Sequence, residues 1–251
     1  MINLVLLSGL LGLGLNTFNP FSGPQSSCTD IPLTKVENYI EAITVKLFAE
    51  DISGSGVLLQ RTDNSYLVVT NNHVIAYSNS EELSIQTPDG QIYTTKLTTV
   101  SQLDDKDLAL FTFESDLNYQ VGEIWQQTPL EVNQTVFVAG FPIEADKNQS
   151  RGFRVTPGQI MMIIAKELTG GYQLGYTNNV QKGMSGGPVF NCQGELVGIN
   201  GLHKNPIWDY PYVFADGTNP TPEEQTQMRS LSWGISGHIL EQLISNLIIS
   251  R

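Results

Sequence analysis

The segment Gly183-Met184-Ser185-Gly186-Gly187-Pro188 crowds glycines around a single serine and leaves its hydroxyl uncovered. Glycine permits close backbone approach and unusual dihedral angles, so neighbouring N–H groups can converge on one point. The N–H groups of Gly183 and Ser185 would then form an oxyanion hole for the charge that develops when Ser185 attacks a carbonyl. A serine hydroxyl alone is a poor nucleophile and needs a base. Three histidines are available, His73, His203 and His238. His73 lies in Thr70-Asn71-Asn72-His73-Val74, directly after a strand-like run, and a strand end can project a side chain into a cleft. A histidine base needs an orienting carboxylate in turn. Asp107 opens Asp107-Leu108-Ala109-Leu110 at the mouth of another apolar run, where burial is expected. Asp104 and Asp105 compete with it from the polar approach. The chemistry these residues would support is acyl transfer: Ser185 as nucleophile, His73 as general base and then acid, Asp107 holding the imidazole tautomer.

The elements that must position them are mostly strands. Leu33, Val36, Tyr39, Ile40 and Ile43 fall at helical spacing and predict one short helix over 33–42. From Ile43 onward, short runs rich in β-branched and aromatic residues alternate with Gly, Asn, Asp and Pro. The runs are 43–48, 57–60, 66–70, 92–97, 108–113, 135–141, 153–156, 159–165, 172–176, 188–191 and 196–200, with Asp89-Gly90 and Pro157-Gly158 as turns. Almost nothing between 50 and 235 reads as helix. The stretches 114–130 and 204–230 read as connections, the second Pro-rich and long enough to be a functional loop. An apolar stripe of Ile239, Leu240, Leu243, Ile244 and Leu247 predicts a terminal helix over 239–249. The fold class is all-β, a sandwich or a pair of barrels. Gly183-Met184-Ser185-Gly186-Gly187 also satisfies the nucleophile elbow of α/β-hydrolases, with Asp209 or Asp216 and then His238 in the required order. That elbow must lead into a helix, whereas 188–191 and 196–200 read as strands, so an esterase of that type is the weaker alternative.

In chain order, the blocks around His73, Asp107 and Ser185 resemble the trypsin/chymotrypsin-like serine peptidase superfamily, specifically its bacterial secreted branch related to glutamyl endopeptidases. The resemblance runs from about Ile43 to Ser236 and implies two packed six-stranded antiparallel β-barrels, chymotrypsin-like, with the site in the cleft between them. The first barrel would span about 43–115 and the second about 131–236, within a peptidase domain covering 28–251. The resemblance also implies that Asn179, six residues before the nucleophile, lines the base of the specificity pocket. Asn200 stands where glutamyl endopeptidases carry a histidine for the substrate carboxylate, and His203 is close enough in sequence to substitute. The backbone of Gly201, Leu202 and His203 would pair with the substrate as an added strand. No charge sits at these positions that favours a basic side chain, so neutral side chains are expected before the scissile bond. Met184 departs from the digestive branch, which has Asp there, and no Ile-Val-Gly-Gly start is present. The stretch after Ser185 is too short for a PDZ module of the high-temperature-requirement type. No metal or organic cofactor is implied.

Charge narrows the partners. Thirteen Lys and Arg against 25 Asp and Glu give a formal net charge of −12, which repels phosphate backbones and anionic lipid surfaces, so nucleic-acid binding is disfavoured. A protein or peptide substrate and a monomeric enzyme are expected. Residues 1–27 carry no charged side chain, and Leu4 to Leu15 form an apolar run too short to span a bilayer comfortably. The run and the turn-rich stretch after it read as a signal peptide and N-terminal arm. Removal of the signal would leave no stable membrane span and a secreted or periplasmic protein. Only two cysteines occur, Cys28 and Cys192, an even count that permits one disulfide in an exported chain. A peptidase-like fold that binds without cutting is the other alternative, because sequence alone does not assemble a triad.

Overall fold

The structure, a computed structural model, describes residues 33–50, 53–76, 82–98, 105–124, 130–143, 152–204 and 212–242. The signal segment 1–27, Cys28, Asp104 and Asp209 lie outside the described residues. Helix α1 (Leu33–Ile43) has the predicted stripe: Val36, Tyr39, Ile40 and Ile43 are buried while Thr34, Lys35, Asn38 and Glu41 are exposed. It leads straight into β1 (Thr44–Phe48), and Thr44 Oγ1 donates to the Ile40 carbonyl where the helix ends.

With β1, the strands β2 (Ser53–Thr62), β3 (Ser65–Thr70), β4 (Glu82–Gln86), β5 (Ile92–Thr98) and β6 (Ala109–Glu114) close an antiparallel barrel in the order β1-β2-β3-β6-β5-β4. The second barrel is built from β7 (Thr135–Gly140), β8 (Arg154–Leu168), β9 (Tyr172–Tyr176), β10 (Pro188–Asn191), β11 (Leu196–Leu202) and β12 (Ser232–Ser236), in the order β10-β11-β12-β9-β8-β7. Closure removes free edges from both sheets. Each barrel has its own filling, Leu47, Leu58, Tyr66, Val68, Ile85 and Phe111 in the first, Val136, Val138, Ile160, Leu174, Val189 and Val197 in the second. A third cluster joins them: Val57, Val69 and Leu110 of the first barrel meet Ala139, Tyr172, Phe190, Ile199 and Trp233 of the second, and the apolar face of α1 packs there. Tyr39 meets Phe190 edge to face at 5.9 Å between ring centroids.

Three expectations change. The runs 153–156 and 159–165 are one strand, β8, because Pro157-Gly158 does not turn: Pro157 pairs with Phe137 and Gly158 with Val136. Gly158 is required for packing, since a Cβ there would stand 2.3 Å from Asn178 Oδ1. The stretch 204–230 contains a helix, α3 (Pro222–Arg229), following Thr221. Thr221 and Glu224 form a capping box with Pro222 in the first turn. α3 buries Met228 alone, so its apolar pattern has no periodicity to detect. Finally, β4 was missed because its sequence mixes Glu, Ser and Gln with only Leu83 and Ile85 turned inward. Residues 237–242 are helical; the remainder of the expected terminal helix lies outside the described residues. Among the described residues no helix is long and apolar enough to cross a membrane.

Buried phenols make the fold sensitive to alkali. Burial, reinforced by the Glu123 carboxylate, pushes Tyr39 from 10.0 up to about 12, and burial also raises Tyr172, Tyr176 and Tyr212. The folded chain therefore keeps these protons to higher pH than the unfolded chain does. The contribution is complete below about pH 10, the unfolded phenol value, and is lost as pH rises through the folded values. The urea midpoint is expected to fall steadily from pH 10 to pH 12, and less so in Tyr39→Phe. An unchanged midpoint between pH 9 and pH 11.5 would contradict this.

Candidate active site

β3 ends at Thr70, and the chain turns at once. Asn71, fully buried and extended, precedes the single helical turn α2 (Asn72–Ile75). Val74 plugs the turn into the first barrel, where the missing side chain of Gly54 leaves it room. His73 is thereby held at the barrel rim with 39% of its side chain exposed. The pairing of Thr70 with Ala109 brings the residues just before β6 alongside the same turn. Asp107 Oδ1 accepts from the His73 backbone N–H at 2.7 Å, and Oδ2 meets His73 Nδ1 at 2.5 Å. Asn71 Nδ2 donates to the Asp107 carbonyl at 2.8 Å. Asp105, by contrast, is exposed and engages Lys106 at 2.9 Å; that ammonium is what chiefly holds its carboxyl below the usual range. A carboxylate on Nδ1 fixes the tautomer whose free nitrogen, Nε2, can accept a proton.

The serine sits on a turn that neither barrel makes alone. Gly183 has φ +94°, and a Cβ there would lie 2.5 Å from the Phe141 carbonyl oxygen. Gly186 has φ +82°, and a Cβ would lie 2.1 Å from both the Ser55 carbonyl oxygen and Thr70 Oγ1. Met184 is fully buried among the core residues of the second barrel and pins the turn from below. The Lys182 carbonyl accepts from Ile143 N–H at 2.9 Å. In a trans peptide the N–H points opposite the C=O, so the Gly183 N–H faces away from Ile143. Among the described residues neither Gly183 N–H nor Ser185 N–H donates to any acceptor. Ser185 Oγ donates to the Gly201 carbonyl at 3.0 Å, and no hydrogen bond joins it to His73.

Ser55 and Tyr172 complete the arrangement, and sequence reasoning missed both. Ser55, on β2 of the first barrel, donates its N–H to the Ser185 carbonyl (2.9 Å) and its hydroxyl to the Gly183 carbonyl (2.8 Å). It also accepts from Phe141 N–H. The signal available was Gly54-Ser55-Gly56, small residues directly before the apolar run Val57-Leu58-Leu59 of the same strand. Tyr172, on β9, donates its hydroxyl to Asp107 Oδ2. Contacts therefore run without a break from Ser185 through Gly201, Tyr172 and Asp107 to His73.

Of the residues expected to bind substrate, Asn200 is placed against the Ser185 turn. It is fully buried, with Nδ2 donating to the Met184 carbonyl at 2.9 Å and Oδ1 accepting from Tyr176 at 2.8 Å, so its amide is spent holding the nucleophile turn. Asn179 is exposed, whereas its neighbour Asn178 is the buried one, donating to the Val136 and Thr156 carbonyls. β11 pairs with β12 as far as Leu202, but β10 accompanies it only to Ile199. Gly201 and Leu202 thus have no strand on their other edge among the described residues. His203 is half-buried with Nδ1 against the Lys204 carbonyl at 3.0 Å. The α/β-hydrolase elbow is not present: Ser185 leads through a turn into β10. His238 is exposed beside Gln242, and Asp216 is an exposed partner of Lys166 at 2.6 Å, which with Thr218 lowers it to about 2.

Two closed six-stranded barrels, with a histidine–carboxylate pair on one and a glycine-framed serine on the other, define a chymotrypsin-like double-barrel protein. Residues 54–199, more than half of the chain, match the family described as Trypsin-like peptidase domain, and the chain belongs to that family. It is 28% identical over 156 residues to the serine protease Do-like HtrA of Bacillus subtilis, covering 61% of this chain and 34% of that protein. It is 29% identical over 161 residues to mouse serine protease HTRA4, covering 60% and 30% respectively. With the serine protease Do-like HtrA of Lactobacillus helveticus the identity is 25% over 189 residues, covering 74% of this chain and 41% of the relative. The matched region therefore spans about a third of these relatives' own length. The relationship is to trypsin-like serine peptidases at large; these relatives carry nothing on the glutamyl endopeptidase branch.

Proposed function

We propose that this chain is a serine endopeptidase that cleaves peptide bonds through an acyl-enzyme on Ser185. His73 takes the serine proton and returns it to the leaving amine, while Asp107 keeps the imidazole in the productive tautomer and stabilises its charged form. The N–H groups of Gly183 and Ser185 receive the oxyanion. The observation that carries this reading is the Asp107 carboxylate bonded to both the backbone and ring of His73, linked by continuous contacts to a serine beside two N–H groups that meet no acceptor among the described residues. The Ser185 hydroxyl would leave the Gly201 carbonyl for Nε2 when substrate binds, as catalytic contacts often tighten only then. That same bond to Gly201 is what favours the alternative, a silent peptidase-like binding protein. Incubation with denatured casein and a fluorophosphonate probe separates them: cleavage with labelling supports the peptidase, and absence of both supports the binding protein.

The proposal extends to substrate placement. The open edge of Gly201, Leu202 and His203 would take the substrate as an added strand. Asn179 offers no charge, and Asn200 is already satisfied, so neutral side chains are preferred before the scissile bond. In a peptide library, a preference above about a hundredfold for Arg/Lys or for Glu, nearly 3 kcal/mol of discrimination, would overturn this. A cleaved N-terminal signal, a secreted or periplasmic location and a monomeric state belong to the same proposal. So does a Cys28–Cys192 disulfide: Cys192 is buried just after Phe190, which packs on Tyr39 of the helix that Cys28 precedes by five residues in sequence.

A further inference from the structure

Asp107 belongs to the first barrel, yet part of what holds this residue and its neighbour Lys106 comes from the second. The β8–β9 hairpin reaches across: the Gly170 carbonyl accepts from Asp107 N–H at 2.9 Å, and Glu167 takes the Lys106 ammonium at 2.6 Å. From the start of β9, Tyr172 is 3% exposed and aims its hydroxyl at Asp107 Oδ2, the oxygen that also meets His73 Nδ1. Space for the phenol comes from β11. A Cβ at Gly201 would stand 2.4 Å from both the hydroxyl oxygen and Cε1 of Tyr172. The same Gly201 accepts the Ser185 hydroxyl through its carbonyl.

We infer that Tyr172 is a positioning residue for the reaction, a phenol donated by the second barrel that orients the Asp107 carboxylate toward His73, with Gly201 kept side-chain-free to admit it. This rests on the reading of Asp107 as the group that orients a histidine base. Burial first, and then the Asp107 carboxylate, raise Tyr172 well above its ordinary value, so the hydroxyl stays a donor throughout the working range. The titratable groups acting on it are Asp107 before β6, whose carboxylate His73 of α2 also meets, and Tyr176, itself raised by burial, further along β9. Lys106 is directed to Asp105 and Glu167 instead.

The inference makes a signed prediction. A carboxylate that loses one donor leaves more of its charge for the imidazolium, which stabilises the protonated ring. In Tyr172→Phe, the acidic limb of the pH–rate profile should move to higher pH by about half a unit or more. The rate on the acidic side of the limb should fall about threefold for each half unit of that movement, and less on the alkaline plateau. Gly201→Ala should displace the phenol and move the limb the same way, and the double variant should move it no further, because the two changes break one contact. The experiment is the pH dependence of fluorophosphonate acylation from pH 5 to 9 for the wild type, both single variants and the double variant. Thermal unfolding of each identifies folded protein, and Gly201→Ala carries the test if Tyr172→Phe does not fold. An acidic limb in the wild type that is unmoved in both single variants overturns the role of Tyr172 and leaves the peptidase reading standing. A rate loss uniform across pH also overturns it, since that is a merely structural effect. A wild type that is never acylated overturns both.

Discussion

Ser185→Ala should lower turnover by about 10⁴- to 10⁶-fold while the unfolding midpoint stays near that of the wild type. In the proposed mechanism the size follows from removing the atom that would form the acyl bond, which leaves the proposed oxyanion donors and substrate contacts to act on water alone. The stability should be spared because the hydroxyl makes one bond, to the Gly201 carbonyl, while the turn is held by main-chain contacts to Ser55, by buried Met184 and by the Asn200 amide. His73→Ala should be comparably damaging, because the two residues act as a unit. A loss below tenfold in steady-state casein or peptide hydrolysis would remove Ser185 from the nucleophile role.

Asp107→Asn should cost about 10⁴ in turnover at neutral pH. An amide in place of the carboxylate can present its NH₂ to the ring and select the tautomer whose proton sits on Nε2, which can no longer accept one from serine. The backbone N–H of His73 and the phenol of Tyr172 both donate to this group, so the amide also leaves one of those donors facing another donor. Asp105→Asn should cost little, since that side chain is exposed and its ion-pair partner is Lys106. Asp104→Asn should cost little as well. Equal sensitivity at Asp105 and Asp107 would contradict the assignment.

The residues proposed to carry the chemistry were legible because each is marked locally. A serine framed by glycines, a histidine just past a strand and an aspartate just before one are patterns within five or six residues. Most of the strands were legible for the same reason, since period-two apolar runs bounded by turn residues need no tertiary information, whereas β4 has only two inward apolar residues to show. What stayed hidden depends on partners far along the chain. Ser55 reaches the nucleophile turn across 128 residues, and Tyr172 reaches Asp107 across 65. Asn200 has the same composition cue whether it faces a substrate or, as here, the Met184 carbonyl and Tyr176. Pro157-Gly158 reads as a turn until Asn178 is seen occupying the space above Gly158. For α3 the cue was present, as Thr221-Pro222-Glu223-Glu224 is a capping-box start.

The most direct measurement is to map the site of fluorophosphonate attachment by peptide mass spectrometry, in the wild type and in His73→Ala. The account predicts one phosphonylated peptide with the adduct on Ser185, formed faster as pH rises through the acidic limb and lost in His73→Ala. An adduct on any other residue, or labelling of Ser185 that is undiminished in His73→Ala, would contradict it.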